Sequence, residues 1–319
     1  QLNMRGIQKK SIGREKFIKE VWKWKKESGN KIVNQLKLLG TSVDWTRSRF
    51  TMDIGLSEAV NKVFVDLFDK NIIYKDIRLV NWDPKLQTAI SDLEVNQKEI
   101  VGKLWYIKYP IFNDEDFIEI ATTRPETMFG DSAIAIHPKN KNLKKYIGKY
   151  AVIPLSLRKI PIIEDEYADP KKGTGAVKIT PAHDFNDFVV GKRNNLKIIN
   201  IFNKNAELNE DVPSDYIGLN RFTARKKLLI DLKKIGFLVK EEKNKMIIPV
   251  GDRSGEIIEP YLTDQWFCNA RKLSEPIKKF VKRSKINFFP KSWLNSFNYW
   301  IENIEPWCIS RQIWWGHRI

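Results

Sequence analysis

Only two cysteines, Cys268 and Cys308, occur in 319 residues, which excludes a disulfide framework and any zinc site built from four thiolates. A reducing compartment suits such a chain. No apolar run approaches the roughly 18 to 20 residues needed to cross a bilayer, and Gln1 to Lys10 lacks a signal-peptide core. Internal repeats and low-complexity tracts are absent. Acidic residues are in deficit, 39 Asp and Glu against 56 Lys and Arg, for a net charge of +17. What is present is apolar content: 42% hydrophobic and 12% aromatic residues exclude intrinsic disorder. The length allows about two domains of roughly 150 residues each. A soluble, cytoplasmic protein is expected.

The positive charge suggests a polyanionic partner but does not establish one. It is carried by 41 Lys and only 15 Arg, and Lys, Ile and Asn are abundant together, as A/T-rich coding produces. Phosphate and base recognition leans on the bidentate fork of arginine, so a lysine excess is the weaker signal. Nucleic-acid binding stays open at this point.

Apolar spacing organises the chain. Phe17, Val21 and Trp24, then Ile32, Val33, Leu36 and Leu39 after Ser28-Gly29, predict a pair of amphipathic helices with Gly40 as the stop. A further helix is expected from Ser57, as N-cap, to Asn71, followed by the apolar stretch Ile72 to Val80. From about Gln97 short strands follow: Ile100 to Tyr109, Phe117 to Ala121, Ala133 to His137, Ala151 to Leu157, Ile160 to Ile163 and Ala176 to Thr180. A helix from Phe222 to Ile235 ends at Gly236, and Met246 to Trp266 reads as a hairpin around Gly251 to Gly255. The tail returns to helix near Ser292 to Ile304. This order predicts an α/β fold interrupted by a mainly β insert.

Three segments concentrate chemistry. Ala121 to Asp131 follows a strand and holds three threonine hydroxyls, Arg124, Glu126 and Asp131, a set able to embrace a ribose and a phosphate; the plain alternative is a polar turn. In Gly173 to Asp187 a glycine turn feeds a strand ending at Thr180 and a helix starting near Asp184. There Asp184 and Asp187 share one face and suit either a substrate ammonium or the helix N-terminus. The glycines do not form a phosphate loop, because the Lys-Ser/Thr that completes one is missing. The third segment, Glu305 to Ile319, is rich in tryptophan; adjacent Trp314 and Trp315 cannot both enter one strand-like core. His183 and His317 lack partners at metal-ligand spacing.

At these segments the sequence resembles the valyl-tRNA synthetase family. TTRPETMFGD, GTGAVKITPAHDFNDFVVGKR and WCISRQIWWGHRI occur in that family's order and spacing, supported by GREKFIKEVWKWK from Gly13, LGTSVDWTRSRFTMD from Leu39, LVNWDPKLQTAISDLEV from Leu79 and YLTDQWF from Tyr261. The isoleucine enzymes instead end the first strand in TPW, and the leucine enzymes carry TTRPDT and lack WWGH. The resemblance spans essentially the whole chain.

It implies a class I synthetase: a split Rossmann-type catalytic fold interrupted by a mainly β editing domain. Residues 1–95 would be catalytic fold and connecting strands, 96–245 the editing domain, and 246–319 the return strands and second catalytic segment. The family's His-x-Gly-His and KMSKS motifs and anticodon-binding domain are not in the sequence. A fragment is therefore expected, unable by itself to make valyl-adenylate. ATP and Mg2+ serve the full-length family enzymes; none is expected here, nor zinc, since Asp83, Leu86, Asp252 and Ser254 stand where some members carry cysteine pairs. The implied partners are the valine tRNA, with its 3′ end in the editing site, and valine and threonine; no membrane is involved, and a monomer is expected.

By motif position, Asp187 resembles the carboxylate that holds the substrate's α-ammonium, with Asp184 in support. Lys178 and Thr180 match residues near the side-chain hydroxyl. Thr122, Thr123, Arg124, Glu126 and Thr127 match the loop around the terminal adenosine and its ester. No Ser-His-Asp or Cys-His pair is evident, so a positioned water is expected as the attacking group; His183 is the candidate base, or else a support of its turn. Trp314 or Trp315 would wall the valine pocket. Two alternatives are a stand-alone trans-editing hydrolase and a non-catalytic tRNA-binding module; hydrolysis of threonyl-tRNA separates them.

Overall fold

The computed structural model describes residues 2–283 and 286–319. The fold is mixed α/β. Its helices are α1 (Lys9–Leu38), α2 (Ile54–Asp69), α3 (Phe185–Arg193), α4 (Arg221–Lys234), α5 (Ala270–Lys282) and α6 (Trp293–Glu302). Its strands are β1 (Ile73–Asp83), β2 (Thr88–Ile90), β3 (Val95–Pro110), β4 (Phe117–Thr122), β5 (Ala133–Ile136), β6 (Tyr150–Val152), β7 (Lys159–Glu164), β8 (Ala176–Ile179), β9 (Leu238–Gly251), β10 (Glu259–Cys268) and β11 (Trp307–Cys308). The chain divides into two compact units, Gln1–Tyr74 with Phe267–Ile319, and Lys75–Trp266. No helix of the described residues is long and apolar enough to cross a membrane.

In the first unit, the helix break expected at Ser28-Gly29 lies elsewhere: α1 runs helically through that pair and is kinked at Gly13 (φ 75°, ψ 165°), which joins two helical pieces. Gly29 keeps helical geometry because a lone glycine costs a helix only about 1 kcal/mol relative to alanine. Gly40 does stop the helix: in the left-handed region, it donates to the Lys37 carbonyl while Thr41 N–H reaches Leu36. α2 begins earlier than expected, capped by Asp53, whose carboxylate accepts from Leu56 N–H, rather than by Ser57.

The second unit is built on two sheets, β4-β3-β9 and β6-β7-β5-β8, where β5 runs parallel to β7 and antiparallel to β8. Side chains alternate across β5. Ala133 and Ala135 pack with Ile179, Ala168 and Val190 of α3, and Ile134 and Ile136 enter a larger core with Ile107, Ile118, Ile120, Met128 and Leu228. Burying one such isoleucine is worth roughly 1.5–3 kcal/mol. The strand expected over Ala151 to Leu157 ends at Val152, since Leu155 and Leu157 turn with positive φ.

The hairpin expected over Met246 to Trp266 is also corrected. The chain just ahead of β10 meets β9 at the isolated bridge Val250↔Ile257, and the two strands then part into different sheets. β9 instead pairs antiparallel along β3 from Val95↔Gly251 to Ile107↔Leu238, with one bulge near Tyr106. Its polar stretch is held by cross-strand contacts: Lys103 Nζ and Trp105 Nε1 donate to Glu241 at 2.6 and 3.2 Å, and Tyr106 Oη donates to Glu242 at 3.0 Å.

Candidate active site

The second unit brings the first two chemistry-bearing segments together. β8 delivers Lys178 and, just past its end, Thr180. The turn Pro181 to Asp184 leads into α3, and the segment Pro125–Gly130, a 3-10 turn after β4, crosses beside them. Close approach is built in: a Cβ on Gly130 would lie 3.2 Å from both Thr180 and His183, and one on Gly191 would lie 2.7 Å from the Pro181 ring. Gly173 and Gly175 sit at positive φ, so this turn needs its glycines for backbone conformation.

Asp131 is the buried centre of a polar cluster. Lys178 Nζ donates to Asp131 Oδ1 and to Thr127 Oγ1, both at 2.9 Å, and also to the Thr180 hydroxyl. Thr180 Oγ1 donates to the same Asp131 oxygen at 2.7 Å, and Tyr109 Oη donates to the other at 2.8 Å. Burial, and then the Asp131 charge, push the Tyr109 phenol well above its usual range, so it stays a donor. Asp131 enters the sequence reading only as one of the loop's two carboxylates, with no partner assigned, and Tyr109 does not enter it at all. A buried acid carries no mark of its partners in a one-dimensional pattern, although its place at the end of the TTRPETMFGD string was a signal.

Asp187 is buried at the first turn of α3, where Oδ2 accepts from Thr180 N–H at 2.8 Å. Burial, and then neighbouring Asp184, push its carboxyl up to about 7 against the opposing pull of Lys178 and the Thr180 N–H. Asp184 is exposed and caps the helix: Oδ1 accepts from the N–H groups of Asn186 and Asp187 at 2.8 and 3.1 Å. The capping reading of Asp184 is thus realised, and through it Asp184 supports Asp187. Tyr167 lies beside both acids, its phenol raised by burial and then by Asp187 and Asp184.

His183 does not have the geometry of a base. Its Nε2 accepts from Ile201 N–H at 3.1 Å, and its Nδ1, buried, has no partner among the described residues. Burial, then the charges of Arg124 and Lys178, hold it well below the usual imidazole value, hence neutral. Its lone pair is spent on the backbone, so it supports the turn.

The loop after β4 is mostly turned inward. Thr122 Oγ1 accepts from Arg124 N–H at 3.0 Å, Thr127 Oγ1 donates to the Arg124 carbonyl at 3.0 Å, and Thr123 is half-buried. Glu126, expected to bind substrate, is instead enclosed, with both oxygens held by Arg225 at 2.7 Å. Arg124 donates to the His183 carbonyl at 3.0 Å and to Glu259, leaving 28% of its side chain exposed. Trp314 and Trp315 belong to the first unit, and both meet α1: Trp314 is edge-on to Phe17 at 5.6 Å and Trp315 to Trp22 at 4.8 Å. The segment carrying them is not a strand, so adjacent rings need not point oppositely.

Among the described residues no three His, Cys, Asp or Glu side chains converge as metal ligands. Asp83 Oδ1 accepts from the N–H groups of Lys85 and Leu86 at 3.0 and 2.9 Å, which makes this segment a hydrogen-bonded turn.

The family model described as tRNA synthetases class I (I, L, M and V) matches residues 2–319. The valine–tRNA ligase of Pelagibacter ubique is 59% identical over 319 residues, covering 100% of this chain and 36% of the relative. Those of Caulobacter vibrioides and Legionella pneumophila (strain Paris) are 51% and 52% identical, covering 98% and 100% of this chain and 37% and 35% of theirs. The chain thus spans little more than a third of the length of these relatives. Among solved structures, the Agrobacterium radiobacter K84 agnB2 LeuRS-tRNA-LeuAMS ternary complex is 18% identical with a TM-score of 0.36, covering 73% of this chain and 38% of that one.

Proposed function

Because the chain belongs to the class I tRNA synthetases of the isoleucine, leucine, methionine and valine group, we propose that it is part of a valine–tRNA ligase and that its second unit hydrolyses threonyl esters wrongly attached to the valine tRNA. The relatives that share half or more of its residues bear the valine–tRNA ligase name. Valine activation with ATP and Mg2+, on a split Rossmann-type catalytic fold that draws on the first unit, is proposed for the whole protein.

Such a ligase needs a second site. Threonine differs from valine by a hydroxyl in place of a methyl, and the established discrimination by valine enzymes of this class is only about 10²-fold. The observation that carries the reading is the buried cluster of Lys178, Thr180, Thr127 and Asp131 beside Asp187. A threonyl hydroxyl can exchange hydrogen bonds with such a cluster, whereas a valyl methyl can neither donate nor accept and would press an apolar group against charged side chains. Asp187, when ionised, holds the α-ammonium. Arg124 and Thr123 face the terminal nucleotide with what remains exposed of them. Water adds to the ester carbonyl, the bond to the ribose oxygen breaks, and that oxygen takes up a proton from the attacking water to become the ribose hydroxyl, leaving free threonine and intact tRNA. No covalent intermediate is required.

The test is hydrolysis of threonyl-tRNA by the protein carrying this chain, with valyl-tRNA as control. Threonyl ester should be cleaved at least tenfold faster; equal rates, or binding without cleavage, would sink the reading.

A further inference from the structure

The charged side chains that enclose Glu126 extend well beyond the polar cluster. Arg221 and Arg225 lie four residues apart on one face of α4. Arg225 grips both oxygens of Glu126 at 2.7 Å, and Arg124 Nε approaches the same carboxylate at 3.4 Å. Arg124 also reaches Glu259, whose other oxygen accepts from Arg221 at 2.9 Å, while Arg221 continues to Glu256 at 3.0 Å. The order is therefore Arg225, Glu126, Arg124, Glu259, Arg221, Glu256, with alternating sign. Each of the two buried carboxylates, Glu126 and Glu259, has an arginine on either side. Carboxylates taken out of water stay charged only with such partners; burial alone would raise Glu126, but Arg225 and Arg124 outweigh it and hold it below its usual range.

Arg124 joins this row to the candidate site, since it also donates to the carbonyl of His183, in the turn that leads into α3 and Asp187. We propose that Arg225 is a positioning residue for ester hydrolysis: through Glu126 it fixes Arg124, and through Arg124 the turn that carries Asp187. The proposal rests on the hydrolase reading above. Without Arg225, Glu126 keeps Arg124 as its remaining cation, and drawing Arg124 fully onto Glu126 withdraws it from the His183 carbonyl. Lysine at 225 restores a charge without the two-pronged fork. Displacements near 1 Å at a reacting centre cost up to about 10²-fold in rate. An RNA substrate is held chiefly through its phosphates, so the loss is read in kcat and not in KM.

The experiment compares threonyl-tRNA hydrolysis by the unmodified protein, Arg225→Gln, Arg225→Lys and the double variant Arg225→Gln/Glu126→Gln, with thermal unfolding of each. Arg225→Gln should lose tenfold or more in kcat with KM within twofold, Arg225→Lys should fall between, and the double variant should recover severalfold over Arg225→Gln because no stranded carboxylate remains to pull on Arg124. A kcat for Arg225→Gln within twofold of unmodified overturns the proposal. So does a double variant no better than the single, or a loss confined to KM, which would make Arg225 a substrate contact. If Arg225→Gln loses its cooperative unfolding, Arg225→Lys is decisive in its place, and an unchanged kcat there overturns the proposal. Unmodified protein that leaves threonyl-tRNA intact overturns the hydrolase reading, and this proposal with it.

Discussion

The ammonium of Lys178 sits 2.9 Å from the carboxylate of Asp131, with side-chain exposures of 10% and 0%. Removing one member of a buried pair strands the other charge, at a cost of about 3–5 kcal/mol, whereas replacing both by apolar groups can be nearly neutral. Lys178→Met should therefore lower the urea-unfolding free energy by several kcal/mol, and Lys178→Met/Asp131→Leu should lose less than the single change. A double variant weaker than Lys178→Met would show that the pair is not the unit of stability.

Asp187 predicts opposite pH trends for stability and activity. Its folded value of about 7 lies above the ordinary 3.8, so the fold favours the protonated acid. The stabilising contribution is full below about pH 4 and is lost as pH rises through about 7. Melting temperature should be higher near pH 5 than near pH 8, and Asp187→Asn should shrink that difference. Holding an ammonium requires the ionised form, so kcat/KM for threonyl-tRNA should rise from about pH 6 to 8 with an apparent pKa near 7. A flat activity profile over that range would remove Asp187 from the ammonium role.

Asp184 separates capping from charge. Asp184→Asn keeps an oxygen for the N–H groups of Asn186 and Asp187, while Asp184→Ala removes it. The alanine variant should lose about 0.5–2 kcal/mol and the asparagine variant much less. Both should shift the activity profile to lower pH, because the Asp184 charge helps to raise Asp187. An unshifted profile in both would mean that the two acids do not interact.

Gly191→Ala probes the seat of α3. The added methyl would lie 2.7 Å from Cγ and 2.8 Å from Cβ of Pro181, with no flexible chain to yield. Overpacking of this kind costs about 1–3 kcal/mol. Calorimetric unfolding should show that loss together with slower threonyl-ester hydrolysis, and an unchanged melting temperature would show that helix and turn have room to part.

The strands Phe117–Thr122, Ala133–Ile136, Lys159–Glu164 and Ala176–Ile179 are legible in the sequence because each is a largely apolar run set off by glycine, proline or Asn-Asp turns. So is the start of α3, where Asp184 has the chemistry a helix terminus requires. The first half of β9 is not: Lys240 to Lys245 is wholly charged or amide-bearing, and becomes strand only because β3 supplies its partners. The hairpin reading of Met246 to Trp266 fails for the same reason, the turn being local and the pairing distant. In the candidate site, motif residues fall together in space, yet their jobs divide by burial. Glu126 faces inward to Arg225, and His183 spends its lone pair on Ile201 N–H. Orientation of a side chain is a tertiary property, and spacing along the chain does not contain it.

The long pairing of β3 with β9 has a topological consequence. Val95 and Gly251 are register partners, so everything between them leaves and returns across a single strand spacing, ~4.8 Å. To the flanking chain the whole excursion is a step no wider than a tight turn. Loops inside it can lengthen or shorten without altering that step, whereas one residue added to only one of the two strands would change their alignment and turn its side chains to the opposite face. The ribbon thus lets the whole stretch of chain from Asn96 to Val250 open and close on two neighbouring backbone positions.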